Sequence, residues 1–334
     1  MRLAVLSLLF LCVGCALPVL KAMGPATISP AASDKVLTTL DGAQLPLRIW
    51  PPENITAKPR AVIIAVHGFN DYSNAFYLPA PFWAKQGIIT YAYDQRGFGG
   101  APNRGFWPGT KTLTADLRAA VTAIRQRHAG TPIYVLGVSM GGAVVMAALA
   151  DGPIEGIDGA ILAAPAVWGR THMNIFQLAA LWLAYHTMPG LKLSGRGLKK
   201  QPSDNLKILR KISKDQQMIR ETRVDTIKGL VDLMDTAFAA APKIGHTPVL
   251  IGYGLKDEIV PKNSSLIVMR QLDTKHATRA LYDTAWHMLL RDLKAEIIWR
   301  DIAAWIADRG KPLPSGADKQ ADETLKFSPS ADQK

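Results

Sequence analysis

The sequence predicts an α/β fold: a mostly parallel sheet flanked by helices, with a helical insertion set over it. Three observations lead there. Short apolar runs alternate with segments of helical periodicity, the pattern of a parallel sheet covered by helices. A serine sits in Gly137-Val138-Ser139-Met140-Gly141-Gly142, between a strand-like run and a small-residue helical run. The stretch 167–244 holds no convincing strand and is longer than a crossover helix needs.

The elements follow in order. Residues 36–40 and 45–50 flank Asp41-Gly42, a hairpin turn pair. Residues 61–66 form a continuous β-rich run, as a strand buried on both faces requires, and 88–93 form another. Leu113, Leu117, Val121 and Ile124 recur at helical spacing over 113–128. A strand over 133–138 and a helix over 141–149 come next, then strands at 157–163, 249–253 and 280–282. An amphipathic helix over 289–306 closes the series. Within 167–244, residues 176–185 are strongly apolar and 227–238 amphipathic. Between them lie Lys199, Lys200, Lys207, Arg210, Lys211 and Lys214. We read 167–244 as a cap over the carboxyl ends of the strands, where such sheets bind ligands.

The two ends differ from the body. From Leu3 to Leu20 the chain carries no charge and Arg2 precedes it, which reads as a signal peptide. Val13-Gly14-Cys15 resembles the end of a bacterial lipobox, so Cys15 is a candidate for lipidation. An ordinary secretion signal or an uncleaved anchor are the alternatives. The expected organisation is a signal over 1–21 and a Pro/Ala/Ser-rich tether over 22–35. An α/β domain follows over 36–309, with a polar, disordered tail over 310–334.

Composition narrows the function classes. The chain has 334 residues, 48% hydrophobic and 20% charged, which excludes a disordered, collagen-like or coiled-coil protein. Both cysteines, Cys12 and Cys15, lie in the signal region, so the body has no disulfide framework, cysteine nucleophile or cysteine zinc site. The net charge of +12 attracts polyanions, nucleic acid and anionic membrane alike.

The chemistry centres on Ser139. Glycines on either side permit a sharp strand-to-helix turn that exposes its hydroxyl above the sheet. A serine needs a base. Of seven histidines, His287 alone follows both the nucleophile and the carboxyl end of a sheet strand. A carboxylate must orient that imidazole. Asp257, on the turn after 249–253, is the choice, and Glu258 is the fallback. The oxyanion needs two aimed donors. Met140 supplies one backbone N–H, and Phe69, in His67-Gly68-Phe69 after the 61–66 strand, supplies the other. His67 is read as holding that loop rather than transferring protons.

With His67-Gly68-Phe69, Tyr93-Asp94-Gln95-Arg96-Gly97-Phe98-Gly99, Gly137 to Gly142, Asp257 and His287, the chain resembles the α/β-hydrolase superfamily. The resemblance spans about 36–309 and is to its monoacylglycerol lipase and lysophospholipase branch, which includes serine aminopeptidase-like proteins. It implies the α/β-hydrolase fold and a serine hydrolase cleaving carboxylic esters through an acyl-enzyme, without cofactor or metal. Asp94 and Arg96 are implied to be structural. A single-chain lipid ester, lysophospholipid or monoacylglycerol, is the expected substrate; a peptidase or non-lipid esterase is the alternative. A non-catalytic envelope-anchored binding protein is the alternative of another class. Ile175, Phe176, Leu178, Leu181, Trp182 and Leu183 either line an acyl tunnel or pack the cap on the body. The expected location is the periplasmic side of a cell envelope, with a membrane surface and no nucleic acid as partner.

Overall fold

The computed structural model describes residues 17–52, 58–197, 199–273 and 275–327. Cys15, and with it the lipidation reading, lies outside them. Two short strands, β1 (Ala31–Ala32) and β2 (Val36–Thr38), lead into β3 (Gln44–Trp50) and β4 (Ala61–Val66). Helix α1 (Pro79–Ala84), β5 (Ile88–Tyr93), α2 (Thr110–Arg127), β6 (Ile133–Val138), α3 (Met140–Ala150) and β7 (Gly159–Ala163) complete the first half. The cap holds α4 (Ile175–Thr187), β8 (Lys192–Ser194), α5 (Leu206–Lys214), β9 (Glu221–Arg223) and α6 (Val224–Ala240). Then come β10 (Val249–Gly254), α7 (Lys262–Gln271), β11 (Ala277–Tyr282), α8 (Ala295–Ala307) and α9 (Ala317–Phe327).

Nine strands form one sheet in the order β1-β2-β3-β5-β4-β6-β7-β10-β11. The run from β5 to β11 is parallel, and the first three strands add antiparallel at one edge. Strand β4 shows why the unbroken apolar runs belong at the centre. Val62, Ile64 and Val66 face a core layer shared with α2, α3 and α6, while Ala61, Ile63 and Ala65 face one shared with α1 and α8. Both faces are buried, so no polar alternation survives.

The structure corrects four expectations. The segment read as a tether lies along the body: Met23 N donates to Thr112 Oγ1 at 3.1 Å and Thr27 N to Leu40 O at 2.8 Å. Residues counted with the signal join it, since Val19 N donates to the Asp225 carboxylate at 3.1 Å and Lys21 N to Trp107 O at 2.9 Å. A small-residue segment needs only unpaired backbone groups beside it to lie down in this way. The tail expected to be disordered carries α9, whose Ala317 and Ala321 are buried. Alanine makes little apolar signal in sequence, yet it permits close packing. The last long helix begins at Ala295 rather than at 289, because 288–294 turn around Asp292. Finally, the cap contains a two-stranded ribbon, β8 with β9. Among the described residues no helix is long and apolar enough to cross a membrane.

Candidate active site

The strand-to-helix turn at Ser139 is built by close backbone approaches. Ser139 adopts φ 52° and ψ −116°, a conformation that side-chain-bearing residues rarely take. A Cβ on Gly141 would run into the Val66 carbonyl oxygen, and one on Gly137 would come within 2.6 Å of the Gly142 Cα. The glycines are therefore steric necessities of the turn. Two bonds pin it, from Ser139 N to Ala163 O at 3.0 Å and from Ala166 N to Ser139 O at 2.9 Å.

The loops after β10 and β11 bring the other two groups. His287 Nε2 lies 3.0 Å from Ser139 Oγ, and His287 Nδ1 lies 2.7 Å from Asp257 Oδ2. The Asp257 side chain is fully buried. Its Oδ1 accepts from Ile259 N at 2.7 Å and Val260 N at 2.9 Å. Glu258, the fallback, is engaged elsewhere and accepts from Gln201 N at 2.8 Å.

Phe69 follows Gly68 in the loop after β4, and Met140 follows the serine directly. Gly68 approaches closely, since a Cβ there would sit 3.4 Å from the Ser139 Cβ. Met140 begins α3, whose first amides have no partner within the helix and favour negative charge.

His67 is fully buried and its tautomer follows from its partners. Nε2 accepts from Gln95 N at 2.9 Å, so Nδ1 carries the proton and donates to Gly68 O at 2.8 Å. Burial pushes its pKa below the ordinary histidine value, which keeps the ring neutral. Its edge packs on Phe98, which also meets Phe69. Asp94 accepts from Ser73 N and Gly100 N, each at 2.8 Å, and Arg96 is bonded to Thr39, Asp41 and Asp116. All three residues brace loops.

Several groups around the triad give no signal in sequence. Asp292 accepts from Trp286 N at 2.7 Å, next to His287, and from Ser203 Oγ of the cap at 2.5 Å. Burial raises its pKa to about 6. Asp71, in the loop that carries Phe69, pairs with Arg291. Met288 N donates to Pro202 O at 2.9 Å. The cap segment 201–205 thus touches both the acid and the base loops. Nothing in residue type marks these positions, because each acts through a partner distant in sequence.

Four of the six apolar side chains singled out on the cap helix α4 depart from both readings. Ile175, Phe176, Trp182 and Leu183 are 70%, 82%, 63% and 56% exposed, so they neither enclose a tunnel nor pack on the body. Leu181 is partly buried against the core. The basic residues of α5 are solvent-facing around a buried Ile208. A cavity of about 690 Å³ between the cap and residues 104–106 is lined by Arg104, Lys192, Arg220 and Arg223 among others, and includes no member of the triad.

Known proteins resemble this chain in sequence and in fold. The family model described as serine aminopeptidase, S33, matches residues 57–294. The monoacylglycerol lipase of Mycolicibacterium smegmatis is 22% identical over 84% of this chain and 98% of its own length. The human monoglyceride lipase is 23% identical over 82% and 90%. A soluble variant of the Saccharomyces cerevisiae monoglyceride lipase, solved with a substrate analogue, is 21% identical. It superposes with a TM-score of 0.70 over 86% of this chain and 98% of that one. These structures share the α/β-hydrolase fold. The chain belongs to the family described as serine aminopeptidase, S33.

Proposed function

We propose that the protein hydrolyses carboxylic esters of single-chain lipids, monoacylglycerol or lysophospholipid, through an acyl-enzyme on Ser139. The observation that carries this is the unbroken chain Ser139–His287–Asp257, with spacings of 3.0 Å and 2.7 Å. His287 Nε2 takes the hydroxyl proton as Ser139 Oγ attacks the acyl carbonyl carbon. The Phe69 and Met140 amides hold the oxyanion, and Asp257 stabilises the imidazolium. The proton then passes to the leaving alcohol. Water, deprotonated by His287, attacks the acyl-enzyme and releases the fatty acid.

The relatives named as monoacylglycerol and monoglyceride lipases support a lipid ester over a peptide. The exposed apolar side chains of α4 support action at a membrane surface, since aromatic and aliphatic groups in water gain by entering lipid. Cys15 is the proposed anchor on the periplasmic side of an envelope. A fluorophosphonate probe should label the wild type and not Ser139→Ala, whose turnover should fall on the order of 10⁶-fold. A panel of monoacylglycerol, lysophospholipid, short ester and aminoacyl substrates then ranks the chemistry. Faster turnover of aminoacyl substrates would favour the peptidase reading instead. Cys15→Ala, expressed in a Gram-negative host, should lose both palmitate incorporation and membrane fractionation.

A further inference from the structure

At the end of the sheet opposite the triad, two histidines and a carboxylate converge. His246 lies just before β10 and His276 just before β11, and Asp273 follows α7. Each can offer one ligand atom, and these atoms all lie within 4.8 Å of one another. We propose that His246, Asp273 and His276 form a binding site for a divalent cation of the zinc class, unrelated to the hydrolytic chemistry.

The local structure favours this over a chance meeting of polar groups. Asp273 Oδ1 is occupied, accepting from Lys275 N at 2.9 Å, which leaves Oδ2 as the ligand atom. That Oδ2 stands 2.8 Å from His276 Nδ1. Two ligands of a tetrahedral zinc ion, each about 2.0–2.1 Å from the metal, are about 3.3 Å apart. The pair therefore needs only a small separation to admit an ion in place of the shared proton. The turn bearing the pair is braced, with Ala277 N donating to Asp273 O at 2.9 Å and Val249 N to His276 O at 2.8 Å. His246 follows Gly245, at φ 70°, and its ring meets that of His276 edge-on at 5.0 Å. Its side chain is exposed. Two imidazoles and one carboxylate, with water completing the shell, suit zinc, nickel or copper and not magnesium or calcium.

The position gives the site a consequence. Val249 and Ala277 are register partners at the starts of β10 and β11. Asp257 follows the far end of the first strand and His287 the far end of the second. An ion held by 246, 273 and 276 would staple together the starts of the two strands whose other ends carry the acid and the base.

The test is calorimetric titration of untagged, chelator-dialysed protein with zinc chloride, alongside thermal melting with and without zinc. One ion should bind per chain and raise the melting temperature, while magnesium chloride does neither. His246→Gln and Asp273→Asn should each weaken zinc binding about tenfold or more and abolish the thermal shift, with circular dichroism unchanged. Wild-type zinc affinity in both variants, half an ion per chain, or no zinc binding at 100-fold excess over protein would each overturn the proposal.

Discussion

Replacing Asp257 by asparagine tests the most specific feature of the site, the proton arrangement on His287. The carboxylate uses its two oxygens differently: Oδ1 accepts from two backbone amides, and Oδ2 faces His287 Nδ1 at 2.7 Å. An asparagine can enter in two orientations. With its amide nitrogen at the Oδ1 position, the partly buried N–H groups of Ile259 and Val260 would face a donor. Each unsatisfied group costs about 1–3 kcal/mol, so this orientation lies about 2–6 kcal/mol higher. The carbonyl therefore takes the Oδ1 position and the NH2 group points at Nδ1. A donor there forces Nδ1 to accept, which places the imidazole proton on Nε2. That proton then lies between His287 and Ser139, and the base cannot take the hydroxyl proton. The loss expected from a wrong tautomer in intact geometry is on the order of 10⁴ in kcat, or about 5 kcal/mol of transition-state stabilisation. The assay is ester turnover by the purified variant near neutral pH, with circular dichroism to verify the fold. A loss below about tenfold would show that the Asp257–His287 bond does not set the tautomer, and the reasoning would fail.

Three further outcomes follow from the same structure. Ser139→Gly should eliminate turnover yet raise stability: a residue with a side chain at φ 52° carries about 1–3 kcal/mol of strain, only partly offset by the entropy glycine loses on folding. A rise in melting temperature checks it, and a fall would mean that the turn is unstrained. Asp292→Asn should grow more stabilising relative to wild type as pH rises from 4 to 7. Burial lifts the folded-state pKa to about 6, above the unfolded value, so the stability linked to proton uptake is present in acid and lost as pH rises through 6. Parallel melting curves at both pH values would contradict this. Phe176→Asp combined with Trp182→Asp should reduce co-sedimentation with anionic vesicles several-fold, and undiminished sedimentation would remove α4 from the membrane contact.

The legible parts of the fold are those set by local constraints. The six-residue run 61–66 has no polar residue because both faces of β4 are buried; β5 and β10 are buried throughout as well, although β5 carries Thr90. The turn at Ser139 is legible because only glycine fits where Val66 and Gly142 approach. Asp257 and His287 are legible because each follows a recognisable strand. What escaped reading is long-range. The Lys21–Trp107 pairing, the Val19–Asp225 bond and the burial of Ala321 depend on partners that no periodicity announces. Helix α1, opening with Pro79, and α7, with Ser264 and Ser265 buried, were missed for a related reason: their propensities are poor and tertiary packing overrides them.

The cap shows where that distinction bears on function. Rich in leucine, alanine and aromatic residues, α4 reads in sequence as lining an acyl tunnel or packing the cap on the body, yet none of its residues is fully buried. A helix apolar on nearly every side cannot indicate from sequence which side the body covers. Apolar contact comes from α6, whose Val231, Leu233 and Ala237 are buried in the core, while the 201–203 segment is held by polar groups of ordinary appearance. Gln201 N reaches Glu258 in the acid loop, Met288 N in the base loop reaches Pro202 O, and Ser203 reaches Asp292 beside His287. These three bonds join one short cap segment to the two loops that position the base and its carboxylate. The geometry around Ser139 therefore depends on where residues 201–203 sit, although none of them could approach the scissile bond as nucleophile or base. Ile175, Phe176, Trp182 and Leu183 stand exposed on α4, where a surface helix usually presents polar groups, and this is the arrangement an enzyme needs if its cap faces lipid rather than water.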